Sequence, residues 1–198
     1  MFTGIILALG RIDSVQERGG DRRLLITAPD LDLEKASLGD SIAVNGVCLT
    51  AVEYSGNSFA ADVSRETLDL TTLGDIGAGQ SVNLEPALTL QTPLGGHLVS
   101  GHVDGVGELV SRSPEARSER LVFRLPADLL RYVAKKGSIT IDGTSLTVNE
   151  IDADQCGVNI VPHTLERTIM SEYQAGSRVN IEVDLVARYL ERLLPSSA

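Results

Sequence analysis

Offset by 97 residues, this chain repeats itself. Residues Phe2 to Gly10 read FTGIILALG and residues Val99 to Gly107 read VSGHVDGVG, with their glycines in register. At the same offset Asn45-Gly46-Val47-Cys48-Leu49-Thr50 falls on Asp142-Gly143-Thr144-Ser145-Leu146-Thr147. Glu66-Thr67-Leu68-Asp69 falls on His163-Thr164-Leu165-Glu166, and Val82-Asn83-Leu84-Glu85 on Val179-Asn180-Ile181-Glu182. One offset held through most of both halves marks a duplicated unit. Units of roughly 90 residues suit small β-barrels. The repeat places the units at residues 1–90 and 97–184 and leaves residues 185–198 as a helix and tail without a counterpart.

Local patterns fill in the elements. Phe2 to Val15 and Arg23 to Ala28 read as strands, and Ser41–Val44 with Val47–Glu53 as a hairpin across Asn45-Gly46. Ser58 to Val63 and Gln80 to Pro86 complete the first set, with helical turns expected at Asp30–Ala36 and Glu66–Thr72. Ala87 to Gly96 is the linker. The second half repeats the order, and there Pro126 to Lys136 is expected as a fuller helix than its counterpart. Gly95 to Gly107, GGHLVSGHVDGVG, reads as the first strand of the second unit. Leu185 to Leu194 places Leu185, Val186, Tyr189, Leu190, Leu193 and Leu194 at helical spacing. That stripe either covers its own barrel or meets another copy.

Composition removes several functions. A net charge of -10 offers no basic face for nucleic acid. The longest apolar run, Ile5 to Leu9, is too short to span a bilayer. The N-terminus lacks a basic, cleavable leader, so a cytoplasmic protein is expected. With 42% apolar residues but no Trp, aliphatic side chains must supply most of the core. Cys48 and Cys156 occupy non-equivalent repeat positions and form no disulfide framework. Neither CxxC nor HExxH occurs, so no built metal site is expected. Gly105-Val106-Gly107 lacks the third glycine and the following helix of a dinucleotide loop. His97 and His102, five apart, would lie on opposite faces of a strand, which argues against a shared metal.

The duplication also supplies a rule. Positions identical in both halves report shared fold or shared binding, as Thr50 and Thr147 do. Polar positions that differ report a division of labour: Cys48 against Ser145, Ile5 against His102, Glu66 against His163, Leu7 against Asp104 and Ala87 against Asp184. A buried small residue is the bland reading of Cys48, and a hydrogen-bonding structural residue that of His102. The fold tolerates Ile5 where His102 stands, so the imidazole is not an architectural need.

The opening MFTGI, NGVCLT at Asn45, the ETL turn at Glu66, GGHLVSGHVDGVG, DGTSLTVNE at Asp142, PHTLERT at Pro162 and the terminal VNIEVDLVARYLERLL together resemble the riboflavin synthase alpha-subunit family, from Met1 to about Leu194. The resemblance implies an all-β fold of two homologous six-stranded Greek-key barrels with short helices and a C-terminal trimerisation helix. It implies a dismutation in which two molecules of 6,7-dimethyl-8-ribityllumazine exchange a four-carbon unit to give riboflavin and 5-amino-6-ribitylaminouracil, with no metal and no cofactor. The implied sites lie between subunits of a homotrimer. Association with a lumazine synthase capsid stays open.

Carried over by position, one pocket would use Gly4, Ile5 and Ile6 with Cys48, Leu49 and Thr50, and with Asp62, Val63, Ser64, Arg65, Glu66 and Thr67. The other would use Gly101, His102 and Val103, Lys136, then Ser145, Leu146 and Thr147, with Asn159, Ile160, Val161, Pro162, His163 and Thr164. Cys48 and His102 match groups implicated in proton transfer or nucleophilic assistance. Ser145, Thr147 and Asp184 match residues that hold or activate the second ring, and Phe2 an aromatic that would close the pocket. The family often has Glu where this chain has His163. A non-catalytic lumazine or flavin carrier is the competing function, expected to lose these catalytic differences. A reductase would need a nucleotide domain for which the chain has no room.

Overall fold

A computed structural model describes residues 1–194. The 195–198 part of the expected tail lies outside the described residues. Two closed, wholly antiparallel six-stranded barrels account for almost all of the chain. The first comprises β1 (Ala8–Arg18), β2 (Asp21–Thr27), β3 (Ser41–Val44), β4 (Val47–Ser55), β5 (Ser58–Val63) and β6 (Ser81–Pro86). The second comprises β7 (Gly105–Glu115), β8 (Ser118–Arg124), β9 (Ser138–Ile141), β10 (Thr144–Asp152), β11 (Gln155–Ile160) and β12 (Arg178–Val183). Both share one order: β1-β2-β5-β4-β3-β6, and β7-β8-β11-β10-β9-β12, each closing on its first strand. Closure leaves no unpaired edge. Every strand begins at the same 97-residue offset, and so do the bulges. Ile12/Ser14 on β1 is matched by Leu109/Ser111 on β7, and Ala51/Glu53 on β4 by Val148/Glu150 on β10.

Each barrel is filled from its own strands. Ile12, Leu24, Ile26, Phe59 and Leu84 are buried in the first, and Leu109, Leu121, Phe123, Val158 and Ile181 in the second. One cross-strand pair is inverted between the copies. Ile26 faces Phe59 in the first barrel, and Phe123 faces Cys156 in the second. Cys156 is therefore a core filler beside the displaced aromatic, and burial pushes its thiol pKa up to about 11.

The helices are short. α1 (Arg65–Leu70) and α2 (Pro162–Arg167) follow β5 and β11, and α3 (Leu185–Leu193) ends the described chain. The expected helix over Pro126–Lys136 is not there. Only a 3-10 turn at Leu130–Tyr132 forms, equivalent to Leu33–Lys35 in the first copy. The reason is local. Val133 already takes extended backbone at φ -94, ψ 124 and closes the turn, and Lys136 then takes φ +69 to turn its N–H onto the Val148 carbonyl and enter β9, a left-handed conformation outside the helical region. Gly39 holds the equivalent position at φ +92.

The barrels meet at a pseudo-twofold seam. The hairpin tips Asn45-Gly46 and Asp142-Gly143, all at positive φ, touch back to back. A Cβ on Gly46 would lie 2.6 Å from the Gly143 nitrogen, so only glycine fits. Asn83 and Asn180, both fully buried, stitch across it. The Asn83 amide donates to the Asp142 carbonyl and accepts from the Ile169 N–H, both at 2.8 Å. The Asn180 amide donates to the Asn45 carbonyl and accepts from the Thr72 N–H, also at 2.8 Å.

One polar difference breaks this symmetry. Where the first copy has neutral Asn45, the second has buried Asp142, which accepts from the Asn180 N–H and the Tyr173 hydroxyl. Burial outweighs these bonds and raises its pKa to about 7. A carboxyl whose folded pKa is raised binds its proton more tightly folded than unfolded. Stability is then full below about pH 4 and declines as pH rises towards 7, by on the order of 3 kcal/mol from this group. Asp142→Asn is expected to flatten that decline in a denaturation series from pH 4 to 8. An unchanged slope would show that Asp142 is ionised throughout.

Candidate active site

Each unit's leading segment lies against the other barrel. Residues 2–7 precede β1 and residues 98–104 precede β7, and these segments exchange barrels. Phe2 pairs with Val99 through bonds of 2.8 and 3.1 Å, and beyond that crossing each segment runs onto the opposite unit. The Gly4 carbonyl accepts from the Ser145 N–H of the second barrel at 2.8 Å, and the Gly101 carbonyl accepts from the Cys48 N–H of the first at 2.8 Å. Gly4 (φ +76) and Gly101 (φ +80) make matched left-handed turns. A Cβ at Gly101 would lie 2.7 Å from Cys48 Cβ and 2.7 Å from Phe2 Cε2.

Two expectations are corrected here. Gly95 to Gly107 is not one strand. Only Gly105–Gly107 lies in β7, and the preceding residues form the crossing, so His97 and His102 do not share a strand. The grouping of Gly4, Ile5 and Ile6 with Cys48, and of Gly101, His102 and Val103 with Ser145, is exchanged. Strand periodicity assigns a segment to its own repeat, whereas the chain enters each barrel only at Ala8 and Gly105.

Each crossing segment is held by one buried carboxylate. Glu85 accepts from the Thr3 N–H at 2.6 Å, the Thr3 hydroxyl at 2.7 Å and the Gly4 N–H at 3.0 Å. Glu182 accepts from the Ser100 N–H at 2.6 Å, the Ser100 hydroxyl at 2.7 Å and the Gly101 N–H at 3.0 Å. The hydroxyls pass the constraint on, accepting from the Ile5 and His102 N–H groups at 3.2 Å. Burial pushes both carboxyl pKa values up, against the pull of these bonds.

On the second barrel the result is a cleft of about 390 Å³ lined by Gly4, Ile5, Ile6, Leu7, Ser145 and His163, with Thr144, Thr164, Arg167 and Thr168. That size suits a small organic ring system. His97 enters the same region. Its Nδ1 lies 2.7 Å from the Ser145 hydroxyl and its Nε2 3.2 Å from the Thr140 hydroxyl. Burial lowers its pKa while the Asp184 charge raises it, and burial dominates, so the imidazole is neutral at pH 7. A neutral ring against a serine hydroxyl is arranged to pass a proton. Sequence reasoning missed His97 because it falls just before the repeated register and has no counterpart to be compared with.

The other expected residues divide by what they touch. Cys48 is half-buried under Gly101, and His102, the next residue of the crossing, is exposed. Val103 packs on the first core and Leu146 on the second. Thr50 and Thr147 are exposed on β4 and β10, facing Ser41 and Ser138 across their hairpins. Leu49, Val63 and Ile160 are buried. The Asp62 side chain is taken by Arg23, with contacts of 2.6 and 2.7 Å that hold its pKa below the usual range. Ser64 caps α1 by accepting from the Thr67 N–H at 3.3 Å, and Arg65 pairs with Asp69. Glu66, Val161, Pro162, His163 and Lys136 are exposed, and Asn159 is half-buried on β11. Asp184 caps α3 through the Val186 N–H at 3.0 Å. Phe2 departs from its expected role. It is completely buried with Ala43 and Val99 between the barrels, so it anchors the crossing and is not a lid.

Fold and cleft together define a tandem-barrel protein with a small-molecule-sized cleft on the second barrel and the same backbone crossing repeated on the first. Known proteins fit that class. The lumazine binding domain matches residues 3–87 and again residues 100–184. The chain is 45% identical to the riboflavin synthase of Photobacterium phosphoreum over 98% of its own length and 89% of that protein. It is 46% identical to the riboflavin synthase of Mycobacterium bovis over the full length of both. Among solved structures it is similar to LumP complexed with riboflavin, with a TM-score of 0.86 at 28% identity, covering 92% of this chain and 99% of that one. LumP complexed with 6,7-dimethyl-8-(1'-D-ribityl) lumazine gives a TM-score of 0.83 at 28% identity and the same coverage. The chain belongs to the lumazine-binding family, with two tandem copies of the domain.

Proposed function

We propose that the protein is a riboflavin synthase, converting two molecules of 6,7-dimethyl-8-ribityllumazine into riboflavin and 5-amino-6-ribitylaminouracil. The observation that carries the reading is a pair of crossed leading segments with one backbone and different side chains, Gly4 against Ser145 and Gly101 against Cys48. Donor and acceptor are the same compound, so one scaffold used twice can hold both. They meet different fates, so the clefts must differ. Cys48 and His102 mark one, and Ser145, His97 and Asp184 the other. Atoms balance between the two substrates and the two products, so the transfer needs no outside oxidant. Holding two rings face to face contributes up to roughly 7–11 kcal/mol in favourable cases, and acid–base help from the imidazoles about 10²–10⁴-fold more.

The half-sites would meet across subunits of a homotrimer. The polar face of α3 is engaged within its own chain, through Arg131–Glu191 at 2.6 Å and through Tyr132–Glu191 and Arg188–Asp104. Val186, Tyr189, Leu190 and Leu193 form a stripe on α3, each more than half exposed. That i, i+3, i+4, i+7 spacing suits packing against the same helix of other copies. Leu190→Asp with Leu193→Asp is expected to shift sedimentation from trimer to monomer and to remove at least about 90% of turnover while leaving each barrel folded. A surviving trimer would place assembly elsewhere. The function is tested by giving the purified chain 6,7-dimethyl-8-ribityllumazine alone. Riboflavin absorbance should appear; tight binding without riboflavin would make the protein a carrier.

A further inference from the structure

Glu182 and Glu85 are buried acids whose hydrogen bonds hold the two crossing segments, each 3% exposed. A buried carboxylate is costly unless its oxygens are filled. Here each is filled by three donors from one short segment, and that segment belongs to the crossing. The charges acting on Glu182, Asp104 and Arg188, are paired with one another. β12 places Glu182 opposite Thr140 of β9, inside the second barrel's wall. From there the chain of contacts runs to Ser100 and Gly101, then outward in two directions: through the Gly101 carbonyl to the Cys48 N–H, and through the Ser100 hydroxyl to the His102 N–H.

We propose that Glu182 is a positioning residue that sets His102 against Cys48, coupling the face of β12 turned away from the second barrel's core to the Cys48 side of the first. Its twin, Glu85, does the same for Gly4 over Ser145, but the residue it presents is Ile5, which carries no proton. The two carboxylates are thus alike as scaffold and unlike in what they aim. Glutamine is not an equivalent at either place, because its NH₂ would face a backbone N–H donor, either Gly101's or Gly4's. The inference rests on the synthase reading, in which His102 serves the reaction.

A double-mutant comparison on the full chain separates positioning from plain scaffolding. Glu182→Gln is expected to lower kcat by about 30–100-fold, the order expected for a reacting group displaced by about 1 Å, with KM within about threefold. In a His102→Gln background the same change should lower kcat by less than about threefold. Glu85→Gln should cost the same factor in both backgrounds. Ser100→Ala, a milder cut in the same relay, should lower kcat about 5–10-fold and lose that effect with His102→Gln, and it carries the comparison if Glu182→Gln fails to fold. Equal losses from Glu182→Gln or Ser100→Ala in both backgrounds, an unchanged kcat, or a His102→Gln chain as fast as its parent would overturn the proposal. Amide exchange reads the positioning without turnover. His102 should exchange at least about 10-fold faster in Ser100→Ala, with Ile5 unchanged. A parent chain that makes no riboflavin would refute the synthase reading, and unchanged His102 exchange in Ser100→Ala would refute the relay.

Discussion

Asn83→Leu is expected to be the most destabilising of the conservative changes at the seam. Leucine matches asparagine in size and can neither donate nor accept. It would strand the Asp142 carbonyl and the Ile169 N–H at a seam where both residues are buried. Each stranded group costs about 1–3 kcal/mol, so the sum is on the order of 4 kcal/mol. Asn180→Leu should cost a similar amount, since it strands the Asn45 carbonyl and the Thr72 N–H in the same geometry. Chemical denaturation checks both. The parent should unfold with the barrels coupled, and either variant should separate the unfolding of the two barrels into distinguishable steps, because each barrel keeps its own closed sheet and core. A loss below about 1 kcal/mol would mean that the seam contributes little to coupling.

Gly101→Ala is expected to have the largest effect on turnover. Alanine at φ +80 is strained by about 1–3 kcal/mol, and its methyl would press on Cys48 Cβ and the Phe2 ring, both 2.7 Å away. Cys48 is in a strand and Phe2 is buried in the crossing, so the segment carrying His102 must give way. The Gly101–Cys48 bond opens, and His102 moves from the cleft edge. A displacement near 1 Å at a reacting group costs about 100-fold in rate. Steady-state kinetics should therefore show kcat down at least about 100-fold, with a stability loss of only about 2–4 kcal/mol by denaturation. Gly56→Ala, at φ +56 in an open turn with nothing within 4 Å, is the control. It should leave kcat unchanged.

The architecture was legible because the repeat carries its own test. A strand, hairpin or bulge read in one copy had to recur 97 residues on, and every strand does. Asn45-Gly46 and Asp142-Gly143 were readable as tight turns from composition alone. That they meet each other was not, because nothing in either turn records what lies beyond its tip. The candidate site was legible as differing pairs, Cys48, His102, Ser145 and Asp184 among them, and the structure sets Cys48 against Gly101 and Ser145 against Gly4. The crossing was hidden, since residues 2–7 and 98–104 look like strand to any period-based reading. His97 was hidden because it stands outside the register. Glu85 and Glu182 were visible only as matched scaffold. Their hydrogen bonds reach across about 80 residues of sequence, and no local pattern announces such a contact.

If two copies of one pocket hold two molecules of one compound and pass a four-carbon unit between them, stoichiometry shows it most directly. With 6,7-dimethyl-8-ribityllumazine as the sole organic reactant, the chain should consume two molecules for each riboflavin formed and release one 5-amino-6-ribitylaminouracil, followed together by absorbance and chromatography. One lumazine consumed per riboflavin, or a requirement for a second carbon donor, would contradict it.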